Sequence, residues 1–340
     1  MKTIVLEEPG VLRLIETEPP DPPAAGEALV RVHRVGICGT DLHAFAGRQN
    51  FFDYPRIIGH ELGAEIVALG PTEDGLGLAV GDHCAVEPYL NDGVCIACRR
   101  GKYNCCVNMK VLGVQIDGGM RELITVPVEK LHKSETLPLD HLALVEMLSV
   151  GAHAVRRAQL EPGENALVIG AGPIGLSVVQ FARASGANVI VMEVSERRLE
   201  FCRQQSGVDL CIDAKDDPLP RLQAVLSGDL PTAVFDATGN AKSMMKAFNY
   251  VAHGGKLIFV GHVGEDITFH DPHFHSHEMT LLASRNATGA DFAWVIETLE
   301  EGRIDLSPWI THRASPEELV TEFPRWLNPE SGVLKAMLEL

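Results

Sequence analysis

A glycine-rich turn between a strand and a helix, in residues 166–184, constrains the fold of this chain more than any other feature. The apolar run ALVI at residues 166–169 leads directly into GAGPIG at residues 170–175, which opens an amphipathic helix. Gly170 permits a tight turn, Gly172 lets a pyrophosphate approach the backbone, and Gly175 lets the helix pack closely on the strand. The free N–H groups at the start of the helix then face the phosphates. The pattern predicts a dinucleotide-binding domain.

The acid at the end of the next strand indicates which dinucleotide is preferred. Glu193 ends the predicted strand 189–193, where a carboxylate accepts hydrogen bonds from the adenosine ribose and repels a 2′-phosphate. NAD is therefore favoured over NADP, although Arg197 and Arg198 follow closely and could soften that preference. Glycines that only make tight turns are the alternative, which the order of strand, turn, helix, strand and acid disfavours. The predicted cofactor-binding residues are Gly170, Gly172, Pro173, Ile174, Gly175, Glu193, Arg198, Thr238 and Gly261.

The hydrophobic pattern divides the chain into a strand-rich part and an alternating α/β part. Up to about residue 138 the apolar runs are short and broken by Gly and Pro, with strands predicted at residues 28–33, 63–69 and 83–87. Strands and helices then alternate, which calls for a parallel sheet covered on both faces. The predicted helices are 140–158, 174–184, 196–205, 241–251 and 292–300, and the predicted strands of this part are 166–169, 189–193, 233–236, 257–260 and 333–340.

Length and charge exclude several classes of protein. A chain of 340 residues suggests about two domains, and 46% hydrophobic residues are typical of a globular protein. The net charge of −17 disfavours a broad basic surface for nucleic acid or anionic lipid. No apolar run has the length of a membrane span, and the first residues do not resemble a signal peptide. We therefore expect a cytoplasmic protein whose eight cysteines are thiols, metal ligands or buried residues without disulfides.

Two short motifs in the first part combine thiol, imidazole and carboxylate groups. GICGTDLH at residues 36–43 contains Cys38, and GHELG at residues 59–63 contains His60 beside Glu61. A cysteine, a histidine and one or two carboxylates make an open zinc site with a position left for water or substrate. A buried Cys38 and a core His60 without metal are the alternative, and the dinucleotide turn argues against it.

These strings, with VEMLSVGAHAVRRA at residues 145–158 and GAGPIG, resemble the zinc-dependent medium-chain dehydrogenases. The branch they resemble most comprises the sorbitol (L-iditol), threonine and sugar-acid (L-galactonate or L-gulonate) dehydrogenases. The resemblance implies a β-rich GroES-like catalytic domain formed by residues 1–146 and 285–340, and a Rossmann NAD-binding domain with a doubly wound parallel sheet at residues 147–284. It also implies a homodimer or homotetramer.

The resemblance further implies roles for individual residues around the expected catalytic zinc. Cys38 and His60 match the catalytic zinc ligands, and Glu61 matches a carboxylate that binds zinc or lies just behind it. Glu146 matches a glutamate of the polyol branch that either ligates zinc or holds the water bound to it. Whether Glu61 or Glu146 is the direct ligand therefore stays open.

Four more positions carry over in the same way. Thr40 matches the hydroxyl that takes the substrate proton, and His43 the outer end of the relay to solvent. Asp41 matches an acid behind the metal ligands, and Lys335 is expected to neutralise Asp41.

A second cysteine group resembles the lobe that carries the structural zinc of this family. The usual spacing is C-x2-C-x2-C-x7-C, and Cys95, Cys98 and Cys106 fill the last three places while Asp92 takes the first. Because a carboxylate oxygen can ligate zinc, we expect Asp92 to be the fourth ligand, with Cys105 as an alternative thiolate. A loop of reduced cysteines without metal is the other possibility.

The implied reaction is NAD-dependent oxidation of a secondary alcohol of a polyol or sugar acid to a ketone, through a zinc alkoxide. The proton would leave through Thr40, a cofactor ribose hydroxyl and His43. A hexonate such as galactonate or gulonate is the favoured substrate, then a neutral polyol; an L-threonine 3-dehydrogenase or a simple alcohol dehydrogenase is the alternative. Arg285 could bind the sugar-acid carboxylate, with Asn286 beside it, although a cofactor contact or an ordinary salt bridge explains Arg285 equally well.

Two classes compete with this interpretation. A zinc-free reductase of the same superfamily would not need Cys38, His60 and Glu146, and a non-catalytic cofactor-binding protein would not need Thr40 and His43.

Four histidines at positions 270, 273, 275 and 277 suggest a third metal site. Pro272 is expected to break any helical register there, so metal binding is disfavoured.

Overall fold

The structure, a computed structural model, describes residues 1–49, 52–71, 77–208 and 210–340. It divides into two units, the first formed by Met1–Met147 and Thr288–Leu340 and the second by Leu148–Ala287. The first unit therefore combines both ends of the chain. Arg285 and Asn286 belong to the second unit.

The strands, numbered in chain order, are β1 Lys2–Glu8, β2 Val11–Glu16, β3 Glu27–Ile37, β4 Glu61–Leu69, β5 His83–Val86, β6 Tyr89–Leu90, β7 Lys110–Val111, β8 Leu123–Pro127, β9 Leu131–Lys133, β10 Asn165–Ile169, β11 Asn188–Glu193, β12 Leu210–Asp213, β13 Ala233–Asp236, β14 Lys256–Phe259, β15 Thr280–Ala283, β16 Ile310–Ala314 and β17 Lys335–Glu339.

The α-helices are α1 Gly39–Phe45, α2 Ile96–Arg99, α3 Leu139–Ala158, α4 Pro173–Ala184, α5 Glu196–Gln205, α6 Leu219–Val225, α7 Ala241–Ala247, α8 Asp271–Ser276, α9 Gly289–Glu300 and α10 Pro316–Trp326. Short 3₁₀ helices lie at Tyr103–Cys105, Val128–Lys130, Phe248–Tyr250 and Pro329–Ser331.

The first unit is built on a sheet with the strand order β16-β17-β3-β4-β5-β9, and β8 also pairs with β3. Along β3, Ala28, Val30 and Val32 are buried and alternate with more exposed residues, as expected of a strand with one face on a core. The C-terminal strand β17 pairs antiparallel with the end of β3, so that Ala336 lies opposite Ile37. This pairing brings the last residues of the chain to the segment that leads into Cys38.

A close approach at Gly63 places helix α3 against the same sheet. A Cβ atom at Gly63 would lie 2.3 Å from the carbonyl oxygen of Leu139, in the first turn of α3. Only a residue without a side chain therefore allows β4 and α3 to pack this closely. Because Glu146 follows two turns later on α3, the contact also determines where its carboxylate lies.

The second unit is a parallel sheet with the strand order β12-β11-β10-β13-β14-β15. Counted from the first strand of this unit the order is 3-2-1-4-5-6, the arrangement of the doubly wound dinucleotide-binding fold. Leu167, Ile190, Val234 and Leu257 form the centre of its core, which agrees with strands buried on both faces. The predicted α/β fold class, with a β-rich unit and a Rossmann unit, is confirmed.

Predicted and observed elements differ at several ends: β3 is Glu27–Ile37 where a strand over 28–33 was expected, and α9 begins at Gly289 rather than at residue 292. The helix expected over 241–251 ends at Ala247 and continues as a 3₁₀ turn, and the strand expected over 333–340 is limited to Lys335–Glu339. Pro272 does not break a helix but starts the short helix α8, because proline is tolerated in the first turn, where the N–H needs no helical partner. Among the described residues, no helix is both long and apolar enough to cross a bilayer. The eight cysteines, all of which lie in the described residues, form no disulfide bonds.

Candidate active site and cofactor site

Cys38 occupies the junction between β3 and α1, in the first unit. Its backbone is extended, and its N–H donates to Asp41 Oδ2 at 2.9 Å, so that the Asp41 side chain caps the helix. The other carboxylate oxygen, Oδ1, accepts from the Gly59 N–H at 3.2 Å. Asp41 thus connects the loop that carries Cys38 with the loop that carries His60.

His60 is buried, with 5% of its surface exposed, and its Nδ1 has no hydrogen-bond partner. Asp41 Oδ1 lies 3.8 Å from this nitrogen, too far for a hydrogen bond. Burial opposes a charge on the ring, but the side chains of Cys38 and Asp41 outweigh it and raise the pKa of His60 well above its usual value. The surroundings of His60 therefore favour positive charge at this point.

Glu61, next to His60, forms a buried ion pair with Lys335. Lys335 Nζ donates to both carboxylate oxygens at 2.7 and 2.8 Å and to the Ile37 carbonyl at 3.0 Å. The carboxylate fits against β3 because Gly36 lies opposite it, where an added Cβ would come 2.1 Å from Glu61 Oε2. The prediction that Lys335 neutralises Asp41 is wrong. Lys335 lies on β17, whose antiparallel pairing with β3 places the lysine beside Glu61. The Asp41 carboxylate instead accepts hydrogen bonds from backbone N–H groups.

The ligand atoms of Cys38, His60 and Glu61 lie within 4.8 Å of one another. One sulfur, one imidazole nitrogen and one carboxylate oxygen form a donor set that suits zinc and leaves a coordination position open. The buried Nδ1 of His60 has no hydrogen-bond partner in the protein, so it is available to a metal ion. On this chemistry the three residues fit a catalytic zinc ion.

Glu146, on α3, is buried and accepts a short hydrogen bond from the hydroxyl of Tyr89. Burial raises the pKa of Glu146, and the nearby His60 counteracts this effect, which places the carboxylate within the electrostatic reach of the cluster. Tyr89 was not among the residues predicted from the sequence. A tyrosine in a short apolar stretch looks like an ordinary core residue, so no signal in the sequence marks it.

Thr40 and His43 lie on α1, directly after Cys38. They are three residues apart and therefore share a face of the helix. Thr40 is half-buried whereas His43 is exposed, so that their positions run from the interior to the surface.

The second predicted metal group is also assembled. Ligand atoms of Asp92, Cys95, Cys98 and Cys106 lie within 4.8 Å of one another. The N–H groups of Cys98 and Val107 lower the pKa of Cys95 to about 7, which favours the thiolate that a metal needs. These donors fit a structural zinc ion.

The Asp92 carboxylate is held by three hydrogen bonds. Oδ1 accepts from the N–H groups of Val94 at 2.9 Å and Cys95 at 3.0 Å, and Oδ2 accepts from the Asn108 side chain at 2.7 Å. Since a carboxylate oxygen has two lone pairs, Oδ2 keeps capacity for a metal ion while Oδ1 is saturated. The bonds from Cys95, Val94 and Asn108 hold the pKa of Asp92 below its usual range.

In the second unit, the glycine turn borders a cavity of about 570 Å³. Gly170 has φ +94°, which favours glycine, and a Cβ at Gly175 would lie 1.8 Å from the Gly170 carbonyl oxygen. Pro173 is the first residue of α4, and Ile174 follows it. Lining residues of the cavity include Gly170, Gly172, Glu193, Arg198, Thr238, Asn240, Lys242, Ser243 and Lys246. Asn240, Ser243 and the two lysines were not predicted.

Glu193 lines this cavity, and its carboxylate also accepts hydrogen bonds from the backbone of two loops. Its Oε2 accepts from the Ala171 N–H at 2.8 Å, and its Oε1 accepts from Val194 and Ser195 at 2.8 and 3.0 Å. Arg198 Nη1 lies 3.6 Å from Oε2. The acid therefore orders the backbone around the predicted ribose site.

Asp236, which was not predicted, holds two residues that line the cavity. The Thr238 hydroxyl donates to its Oδ1 at 2.6 Å, and Ser243 donates to its Oδ2 at 2.7 Å. Gly261 approaches this turn closely, since a Cβ there would lie 2.5 Å from the Gly239 nitrogen. Thr238 and Gly261 thus belong to one turn assembly of this unit.

The remaining candidate residues are Arg285, Asn286 and the histidines around residue 273. Arg285 is exposed, and Asn286 has a left-handed backbone with φ +51°. His273 and His277 lie beside each other, and the rings of His277 and His253 stack at 3.8 Å. In the described part of the chain, these histidines do not form a group with convergent ligand atoms.

Comparison with known proteins identifies the family. Residues 24–137 match the alcohol dehydrogenase GroES-like domain, and residues 173–301 match the zinc-binding dehydrogenase domain. The chain is 41% identical to L-galactonate-5-dehydrogenase of Escherichia coli K12 over 99% of its own length and 98% of that protein. The chain belongs to the zinc-dependent medium-chain dehydrogenase family.

Two further relatives cover nearly the whole chain. One is 2-dehydro-3-deoxy-L-galactonate 5-dehydrogenase of Pseudoalteromonas atlantica, 32% identical over 93% of this chain and 92% of that protein. The other is the crystal structure of the alcohol dehydrogenase RspB of Escherichia coli CFT073 complexed with NADH, which has a TM-score of 0.92, 31% identity, and coverage of 100% and 99% of the two chains. The protein is an oxidoreductase, and zinc and NAD are the cofactors expected for its family.

Substitution of Lys335 by methionine tests the buried ion pair. Removing one partner of such a pair costs about 3 kcal/mol or more, because the other charge stays buried without compensation. We expect Lys335→Met to lower the free energy of unfolding of the metal-free protein by about this amount, measured by urea denaturation. The double variant Lys335→Met/Glu61→Gln, which also removes the acid, should regain much of it. Equal stability of the single and double variants would contradict the ion pair.

Replacement of Asp92 tests the second metal group. Asp92→Asn should reduce bound zinc from two ions per chain, one for each group, to one, as measured by elemental analysis after dialysis. Asp92→Cys should keep both ions, because a thiolate is a zinc ligand. Asp117→Asn, at an acid outside both groups, is the matched control. Full zinc content in Asp92→Asn would remove this residue from the ligand set.

Proposed function

We propose that this protein uses NAD to oxidise a secondary alcohol of a sugar acid, a hexonate of the L-galactonate type, to the corresponding ketone. The observation that carries the proposal is the 41% identity with L-galactonate-5-dehydrogenase over nearly the full length of both chains. The reaction converts the alcohol and NAD⁺ into the ketone, NADH and a proton.

Cys38, His60 and Glu61 would hold the catalytic metal, since their donor atoms lie within 4.8 Å of one another and His60 and Glu61 are buried. When bound, zinc supplies a Lewis acid that polarises the substrate hydroxyl, and NAD supplies the hydride acceptor. Lys335 offsets the charge of Glu61, so that the donor set carries less net negative charge than its residue types suggest. This balance would favour polarisation of the substrate hydroxyl, because an excess of negative charge around a divalent cation lowers its Lewis acidity.

Thr40 would accept the proton of the substrate hydroxyl, and His43 would pass it to solvent. The order of burial on α1 supports this relay, because Thr40 is half-buried and His43 is exposed. An imidazole suits the outer position, since one ring nitrogen can accept a proton while the other donates one.

The residues of the second unit would bind the cofactor. The glycine turn and the N-terminus of α4 would bind the pyrophosphate, and Glu193 would contact the adenosine ribose while it orders the surrounding backbone.

Arg285 would bind the substrate carboxylate, since a guanidinium group pairs with a carboxylate in a bidentate geometry, and Asn286 lies next to it in the sequence.

A substrate panel tests the proposed activity. We expect NAD-dependent formation of NADH, followed by its absorbance, with kcat/KM highest for hexonates such as L-galactonate and L-gulonate, lower for sorbitol and lowest for L-threonine and simple alcohols. A site with a cation for the substrate carboxylate discriminates against analogues that lack it. A preference for threonine or a neutral polyol would contradict the proposed substrate class, and faster turnover with NADP would contradict the proposed cofactor.

Thr40→Ala tests the proton relay. Loss of the hydroxyl that takes the proton should lower kcat about 100-fold, the lower end of the effect of general acid–base groups. Thr40→Ser keeps the hydroxyl and should retain most of the activity. Thr321→Ala makes the same change on the exposed side of α10 and serves as control. Steady-state kinetics that leave kcat of Thr40→Ala unchanged would remove Thr40 from the relay.

A further inference from the structure

Lys130 is a buried cation of the first unit that has no role in the proposed reaction. It is 6% exposed and ends the 3₁₀ helix that leads into β9. Its Nζ donates to Glu87 Oε1 at 2.6 Å and to Asn91 Oδ1 at 3.2 Å. A lysine is seldom buried unless its charge is paired, and Glu87 provides that pairing. The bond to Asn91 is not needed for charge balance and therefore points to a second role.

The contact between Lys130 and Glu87 is fixed on both sides. The Glu87 N–H donates to the Lys130 carbonyl at 2.8 Å, and Glu87 Oε2 lies 3.1 Å from Nε2 of His132. The ring of His132 stacks on the buried Phe292, with the centroids 4.8 Å apart. Leu131, the next residue, pairs with Val86 in the main sheet of this unit. The lysine thus reaches Asn91 from a rigid part of the structure.

Asn91 is the residue that leads into the second metal group, because Asp92 follows it. It comes directly after the two-residue strand β6, whose pairing with β7 places Leu90 opposite Lys110. This ladder closes the base of residues 91–109, which contain all four donors of the group and which we call the metal lobe. A ladder of two residue pairs is weak by itself. A side-chain contact at its end therefore helps to define the backbone that enters the lobe.

The peptide between Asn91 and Asp92 affects two of the four donors. Its N–H, which belongs to Asp92, donates to Cys106 Sγ at 3.3 Å. The same residue carries the carboxylate of the group. Hydrogen bonds to a ligand atom orient it and increase its affinity for the metal. The orientation of this one peptide thus matters for a thiolate and for a carboxylate.

The hydrogen bonds that hold the Asp92 carboxylate come from inside the metal lobe. Their donors are Val94, Cys95 and Asn108. Lys130 lies outside the lobe, so its bond to Asn91 connects the entrance of the lobe to the main sheet. A purely structural ion pair accounts for the bond to Glu87 but not for a donor directed at the residue before a metal ligand.

We propose that Lys130 is a positioning residue of the second metal group, which holds Asn91 so that Asp92 presents its carboxylate to the metal and its N–H to Cys106. Loss of the bond between Lys130 and Asn91 allows the Asn91–Asp92 peptide to rotate, which loosens two donors at once. The metal then leaves this group faster, while the other metal group is unchanged. The inference goes beyond the proposed function and does not depend on the substrate.

The rate at which zinc leaves the second metal group tests the proposal. A Cys38→Ser background, loaded with zinc, confines the measurement to that group, and an excess of the chromogenic chelator 4-(2-pyridylazo)resorcinol reports each ion released. We expect Asn91→Leu to release zinc about 10-fold faster, the lower end of the effect of hydrogen-bond partners behind metal ligands. Asn91→Asp keeps an acceptor for Lys130 and should leave the rate unchanged.

Lys130→Met breaks the same bond from its other end. This variant should also release zinc faster, and because it leaves Glu87 without its cation, it should be less stable in urea. If Lys130 acts through Asn91, Asn91→Leu should add no further acceleration in a Lys130→Met background. Lys133→Met, on the neighbouring strand β9, is the matched control and should leave the release rate unchanged.

Three results would overturn the proposal. They are an unchanged release rate in Asn91→Leu, equal acceleration in Asn91→Leu and Asn91→Asp, and additive effects of Asn91→Leu and Lys130→Met. The two Asn91 variants keep the ion pair of Lys130 with Glu87, so they decide the question even if Lys130→Met does not fold. A protein that oxidises none of the hexonates would contradict the proposed function without altering these rates.

Discussion

The buried pairing of Glu61 with Lys335 is the interaction on which the arrangement of the candidate active site depends. A carboxylate with almost no solvent exposure is stable only when its charge is compensated, and Lys335 bonds to both of its oxygens. The lysine comes from the last strand of the chain, whose pairing with β3 also fixes the end of the strand that leads into Cys38. One contact thus links the C-terminal segment, the position of Cys38 and the charge beside His60.

The fold could be predicted from the sequence wherever a local pattern controls it. The run from ALVI to GAGPIG requires a strand, a tight turn and a close helix, and the structure places them in the central part of a parallel sheet. Element ends were less predictable: the helix that starts at Ala241 tightens to a 3₁₀ turn after Ala247, where packing of Phe248 and Tyr250 into the core overrides helical periodicity. The prediction that Pro272 breaks a helix was wrong because the effect of a proline depends on its position in the helix, and spacing alone does not reveal that position.

For the candidate site, the sequence indicated the residue types but not how their charges are paired. The motifs around Cys38 and His60 identified the donors, whose convergence is now visible in the structure. The partner of Lys335 follows from strand register between segments at opposite ends of the chain, and no local pattern encodes that register. Tyr89 and Asp236 act through contacts with Glu146 and Thr238, and their sequence neighbourhoods look like ordinary core and turn.

Anomalous X-ray scattering at the zinc edge, recorded on crystals of protein saturated with zinc, tests the central claim most directly. We expect a peak bonded to Cys38 Sγ and a His60 ring nitrogen at about 2.0–2.3 Å, the usual lengths of such bonds. The group of Asp92, Cys95, Cys98 and Cys106 provides an internal control for zinc loading in the same crystal. A peak at that control group together with no peak between Cys38 and His60 would contradict a metal-dependent oxidation at this site.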